Sequence, residues 1–152
     1  MRVVSVHSAE SWEKSRERDR VLLDYHDRHR RRFVLQTEGG QDILLDLPHA
    51  THLRDGDGLE LEDGSIVRVC AKAEPLLEIR APDEILLRIA WHLGNRHLPV
   101  QILPRSIRIL EDHVIAEMVK QLGGEIHRLG GAFDPEPGAY AASEHTHVHE
   151  HG

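Results

Sequence analysis

The sequence predicts an α+β chain made of a small β domain, then a βαββαβ unit, then a His-rich C-terminal tail. Three observations carry this. Short β-prone runs separated by turn residues fill the chain to about residue 73. Two stretches of helical apolar periodicity follow, each flanked by strand-like runs, and beyond Gly130-Gly131 the composition turns Pro-, Gly- and Ala-rich and then His-rich.

In the first part the runs Val21-Leu22-Leu23, Phe33-Val34-Leu35, Ile43-Leu44-Leu45 and Ile66-Val67-Arg68-Val69-Cys70 read as strands, with Cys70 buried among them. Gly39-Gly40 and Asp55-Gly56-Asp57-Gly58 divide them as turns. The second turn has the beginnings of a calcium loop. Counted from Asp55, however, Ile66 stands where the bidentate glutamate is required, so it remains a turn. The basic run Arg28-His29-Arg30-Arg31-Arg32 reads as a solvated edge or hairpin, with protein docking as its functional use.

Around Ala73-Glu74-Pro75 the pattern changes. Leu76-Leu77-Glu78-Ile79 is strand-like, and Pro82-Asp83-Glu84 supplies the proline and acids favoured in a first helical turn. Ile85, Leu86, Ile89 and Leu93 recur at helical spacing, and Gly94-Asn95 predicts the left-handed stop. Leu98–Ile102 and Ser106–Leu110 alternate as strands, and Val114, Ile115, Met118, Val119 and Leu122 make a second amphipathic helix stopped by Gly123-Gly124. Glu125–Leu129 is the last strand. This β-α-β-β-α-β order is the ferredoxin-like arrangement, with two helices on one face of an antiparallel sheet. The expected domains are 1–73, 74–134 and a disordered tail, 135–152.

Composition narrows the function. A net charge of -7, from 26 acidic and 19 basic side chains, disfavours nucleic-acid binding, which depends on surplus Lys and Arg. One cysteine excludes an internal disulfide framework and a Cys-based zinc ribbon. No segment approaches the ~20 apolar residues of a membrane span, and the N-terminal apolar run is too short for a secretory signal, so a cytoplasmic protein is expected. Motifs for hydrolase, kinase or phosphate-loop chemistry are lacking, so no enzyme is expected.

Histidine is the chemical signal. His145, His147, His149 and His151 alternate with other residues, unlike a purification tag, and if extended would lie about 7 Å apart on one side of the chain. That spacing suits a mobile collector of nickel, zinc or copper rather than a rigid cage. His97 lies at a helix-to-strand corner, either as a ligand or as a ring bonded to a nearby carbonyl. His92 falls on the apolar stripe of the first helix and reads as a packing residue. Glu111 and Asp112 read as caps of the second helix, and the neighbouring His113 as either a secondary ligand or a solvated first-turn residue.

The segment His92-Leu93-Gly94-Asn95-Arg96-His97-Leu98-Pro99-Val100-Gln101 closely resembles the signature of the UreE family of urease accessory metallochaperones. Leu53–Asp57, Glu74–Glu78, Asp112-His113-Val114 and the His-rich end extend the resemblance over roughly residues 15 to 140. It implies a partner-docking β domain, a ferredoxin-like metal-binding domain and a homodimer joined through the latter. It also implies delivery of nickel to apo-urease in a complex with the urease accessory GTPase. His97 from both subunits would form the interfacial site, completed by tail histidines, and His113 would match a peripheral ligand whose companion histidine falls at Glu111. A two-fold axis doubles the donors, and tethered tail imidazoles raise the local ligand concentration. Because the ligands must be neutral, affinity should fall below about pH 6.5. The alternative is a cytoplasmic nickel, zinc or copper buffer with no specific recipient.

Overall fold

The computed structural model describes residues 1–49 and 51–137. The described residues divide into two compact units, Met1–Glu74 with Gly130–Asp134, and Pro75–Leu129 with residues 135–137.

In the first unit, β1 (Val3–His7), β2 (Glu17–Leu23), β5 (Gly58–Leu61) and β6 (Ile66–Ala71) form a sheet in the order β1-β5-β6-β2. The β2–β6 pair is parallel, whereas β1–β5 and β5–β6 are antiparallel. A hairpin of β3 (Arg32–Gln36) and β4 (Asp42–Asp46) shares its core. Alternate side chains Val21 and Leu23, Leu35, Ile43 and Leu45, Leu59 and Leu61, and Val67 and Val69 meet there, as period-two patterning requires. Strands β1 and β5 were not among the expected runs. Cys70 lies in β6 as expected but is only half-buried.

The Asp55-Gly56-Asp57 segment is a turn that leads into β5 at Gly58. Gly56 takes φ +90°, the Asp57 amide donates to the Arg54 carbonyl at 3.1 Å, and the Asp57 carboxylate accepts from the Arg54 amide at 2.8 Å. The basic run is not uniformly solvated. Arg28 is fully buried, donating to the carbonyls of Phe133 at 2.7 Å and Leu23 at 3.3 Å, with Glu74 at 3.9 Å. A guanidinium survives burial only with such partners, and the sequence alone does not reveal them. Arg30, Arg31 and Arg32 are exposed.

The second unit is built on β7 (Ala73–Arg80), α1 (Asp83–Asn95), β8 (Gln101–Ile102), β9 (Ile107–Leu110), α2 (His113–Gln121) and β10 (Glu125–Ala132), less the first two residues of β7 and the last three of β10. Its sheet order is β10-β7-β9-β8, with β7–β9 and β8–β9 antiparallel. This is the ferredoxin-like arrangement. Leu77 and Ile79 of β7 and Ile107 and Ile109 of β9 point to one face and bury Ile89, Leu93, Ile115, Ala116 and Val119 of the helices. On the other side of β7, Glu78 is buried and bridges Arg108 and Arg80, each through a 2.8 Å hydrogen bond.

The last strand, expected over Glu125–Leu129, is longer than its periodicity suggested. Strand β10 runs to Ala132, and Phe133 is fully buried. The remainder of the expected tail, 138–152, lies outside the described residues.

Candidate metal-handling site

Helix α1 does not stop at Gly94-Asn95 through a left-handed residue there. Both belong to the helix, Arg96 is the C-cap, and His97 takes the left-handed position at φ +60°. The amide of His97 donates to the Gly94 carbonyl at 2.9 Å, and that of Leu98 to the Leu93 carbonyl at 3.2 Å. This is a Schellman closure, with Leu98 joining the core that holds Leu93.

Helix α2 ends in the same motif. Gly123 stands at φ +101° and donates to Lys120 at 3.0 Å, and Gly124 donates to Val119 at 2.9 Å. Two helices of one unit therefore close identically, one through glycine and the other through histidine. Among the described residues His97 is the sole non-glycine residue with positive φ. Side chains in that region carry a Cβ clash that glycine escapes, so the histidine holds its position at an energetic cost of about 1–2 kcal/mol. Strain kept where a glycine would serve better marks a position held for its side chain.

The imidazole of His97 is exposed, and among the described residues it has no hydrogen-bond or ion-pair partner. The carbonyl-bonded alternative is thus not realised. His92 is half-buried, with its ring edge-on to Trp91 at 5.0 Å. His113 begins α2 and is exposed, and Asp112 caps that helix by accepting from the Ile115 amide at 3.1 Å. Glu111 does not share the capping. Its amide donates to Pro75 and its carboxylate lies 3.6 Å from Arg128. His145, His147, His149 and His151 lie outside the described residues. Among the described residues, no three His, Cys, Asp or Glu side chains come together as a ready metal cage. A site built on His97 must draw further ligands from elsewhere.

One feature of this unit escaped the sequence reading. Leu87 and Trp91, one turn apart on α1, are 73% and 63% exposed, and Ile102 of β8 is 58% exposed. Beside them opens a cavity of about 390 Å³ lined by Leu86, Leu87, Ala90, Ile102, Leu103 and Ile107. Its signal in the sequence was a second i, i+4 apolar pair off the main stripe.

Among the described residues no helix is long and apolar enough to cross a membrane. A family model described as "UreE urease accessory protein, N-terminal domain" matches residues 2–72, and one described as the C-terminal domain of the same protein matches residues 74–152. A urease accessory protein UreE of Bradyrhizobium sp. (strain ORS 278) is 58% identical over 130 residues, covering 85% of this chain and 62% of that relative. One from Bradyrhizobium sp. (strain BTAi1 / ATCC BAA-1182) is 57% identical over 133 residues, 87% and 65% of the two chains. One from Beijerinckia indica subsp. indica is 45% identical over 152 residues, 99% and 87%. The chain thus spans just under two thirds of the length of the two Bradyrhizobium relatives.

Proposed function

The chain belongs to the UreE urease accessory protein family, and from that premise we propose that it is a cytoplasmic, non-catalytic nickel chaperone for urease maturation. Residues 74–134 handle the metal with the tail 135–152, and residues 1–73 dock partner proteins, the urease accessory GTPase and apo-urease. The carrying observation is His97: an exposed, unpartnered imidazole fixed at a strained helix terminus. The Schellman hydrogen bonds hold the Cα–Cβ direction, so the ring is presented without ordering a loop on binding.

A single imidazole holds a borderline cation weakly, and a symmetry mate supplies a second identical donor. The apolar face of Leu87, Trp91 and Ile102 beside the cavity supports a homodimer through this unit, because such a patch is costly to leave in water. Tail histidines His145, His147, His149 and His151 then complete the coordination as exchangeable donors, and His113 takes a peripheral ion. Few ligands, each individually labile, suit a cargo that must be handed on. Nickel is the favoured cargo, with zinc and copper accommodated by the same imidazoles.

The buffer reading places all capacity in the tail. Nickel binding and urease activation measured for the intact chain, for His97→Ala and for a chain cut after Ala142 separate the two. A chaperone keeps about one tight metal per dimer after the cut and loses it with His97→Ala. Loss of nearly all binding on truncation, with His97→Ala unaffected, overturns the proposal.

A further inference from the structure

In the first unit two imidazoles face each other. His29 ends the short 3-10 helix Asp27–His29, and His52 lies between β4 and β5. His29 Nε2 and His52 Nδ1 are 2.8 Å apart, and both residues are half-buried. Beside them the Leu53 amide donates to the Arg28 carbonyl at 2.9 Å, with the Leu53 side chain fully buried. These two bonds fasten residues 51–54 to the 3-10 helix. We propose that the His29–His52 pair is an acid-released latch: taking up a proton parts the rings and opens the bond between Leu53 and Arg28, while the sheet of β1, β2, β5 and β6 stays folded.

The hydrogen bonds fix where protons can go. The Tyr25 carbonyl, 3.0 Å from His29 Nδ1, can only accept, so His29 carries its hydrogen there. The Nε2 lone pair of His29 then receives the Nδ1 hydrogen of His52, and the neutral pair holds one hydrogen between the rings. His52 Nε2 is buried, with no partner among the described residues. A proton added to His52 must sit on that nitrogen. A proton added to His29 Nε2 makes it a donor, so His52 must move its own hydrogen from Nδ1 to Nε2 in order to accept. Either way a charged pair that stays together sets an N–H in the interior without an acceptor, a cost the neutral pair avoids. Parting the rings lets both meet water.

The surroundings oppose the charge as well. Burial, then the neighbouring His29, Arg28 and Arg54, push the His52 imidazole down from its ordinary 6.5 to about 4. The nearby carboxylates are already engaged. Glu74 lies 3.9 Å from Arg28 and accepts from the Tyr25 amide at 2.8 Å, and Asp134 pairs with Arg54 at 2.6 Å. Asp24, Asp55 and Asp57 accept from the amides of Asp27, Ala71 and Arg54, each at 2.8 Å. The Tyr25 hydroxyl, held above its ordinary 10 by burial, stays neutral in acid. His26, whose ring lies edge-on to Tyr25 at 5.6 Å, can only add positive charge.

A parted His52 binds a proton from about pH 6.5 downward, whereas the latched ring resists until about 4. The latch is therefore secure above pH 6.5 and weakens as pH falls from there toward 4. One such group raises the opening constant about thirtyfold between pH 7.5 and pH 5. The opening is local, because the side chains that hold the sheet, among them Val21, Leu59, Leu61, Val67 and Val69, carry no titratable group for acid to act on.

The test follows amide hydrogen exchange by NMR in the full-length chain at pH 7.5 and pH 5, each rate divided by that of an unstructured amide at the same pH. Leu53 should lose at least about tenfold in protection, while Val67, in the interior strand β6, stays within about threefold. A smaller loss at Leu53, or a larger one at Val67, overturns the latch, and this reading needs no substitution. His52→Asn keeps a donor where Nδ1 stands but cannot titrate, so it should abolish the loss at Leu53. A loss of the parent's size in the folded His52→Asn chain overturns the proposal equally.

Discussion

The Leu98 amide reaches back 3.2 Å to the Leu93 carbonyl, and the turn between them passes through His97 at φ +60°. The hydrogen bonds that stop α1 are thus the ones that aim the exposed imidazole. Helix termination and presentation of the exposed ring are one structural event.

Replacing His97 with glycine separates them. Glycine adopts the left-handed conformation without the Cβ clash, as Gly123 does at the end of α2. His97→Gly should raise unfolding free energy by about 0.5–1 kcal/mol, the relieved strain less the extra freedom of an unfolded glycine. The same variant should lose the tight nickel of the tail-truncated chain. Chemical denaturation and equilibrium dialysis check the two halves, and a destabilised His97→Gly protein would refute the strain argument.

The apolar strip on α1 makes an assembly prediction. Leu87→Asp or Trp91→Asp places a charge on a side chain that is already largely exposed in one chain, so the monomer should keep its fold. If the proposed homodimer forms through this face, its dissociation should become at least about tenfold easier, roughly 1.4 kcal/mol. Sedimentation equilibrium measures it, and an unchanged dimer constant would move the interface elsewhere.

Glu78 predicts a pH dependence of stability. Hydrogen bonds from Arg108, then Arg80, hold its carboxyl below the ordinary 4.5. A depressed folded value means stabilisation that is present above the unfolded value near 4.5 and lost as pH falls through the lower folded value. Glu78→Gln should cost about 1–3 kcal/mol at pH 7, and its deficit against the parent should shrink steadily below pH 4.5. Urea melts at a series of pH values would show it. A deficit independent of pH would mean that the carboxylate charge contributes nothing.

Arg28 and Arg31 test the two faces of the basic run. Arg28→Ala empties a fully buried position and strips the Phe133 carbonyl of its donor, for an expected loss of about 2–5 kcal/mol. Arg31 is exposed, with one 3.3 Å contact to the Pro48 carbonyl, and Arg31→Ala should stay within about 0.5 kcal/mol of the parent. Equal effects in thermal denaturation would contradict the assignment.

The βαββαβ unit was legible because each element there carries its own period: Ile85, Leu86, Ile89 and Leu93 describe one helical stripe, and Leu77 and Ile79 one strand face. Caps were harder. Gly94-Asn95 is the more permissive pair, yet the left-handed turn fell on His97, since the closing bonds depend on where Leu98 can reach the core occupied by Leu93. Pairings across long separations were not legible at all. Nothing local links His29 to His52, or Arg28 to Phe133, because those contacts exist only once the first unit is assembled. The short runs Val3–His7 and Gly58–Leu61 escaped for a related reason, each being held as a strand by its partner in the sheet.

Phe133 has a consequence for biosynthesis. The guanidinium of Arg28 finds its shortest acceptor on a peptide 105 positions later, in a stretch, Gly130–Asp134, that completes a unit otherwise finished at Glu74. A ribosome therefore releases the N-terminal sheet well before the carbonyl that accepts the shortest hydrogen bond of its buried guanidinium has been made. The nascent first unit waits, with that hydrogen bond of Arg28 unmade, until Phe133 has emerged. A fragment ending at residue 74 would stay in that unfinished condition permanently.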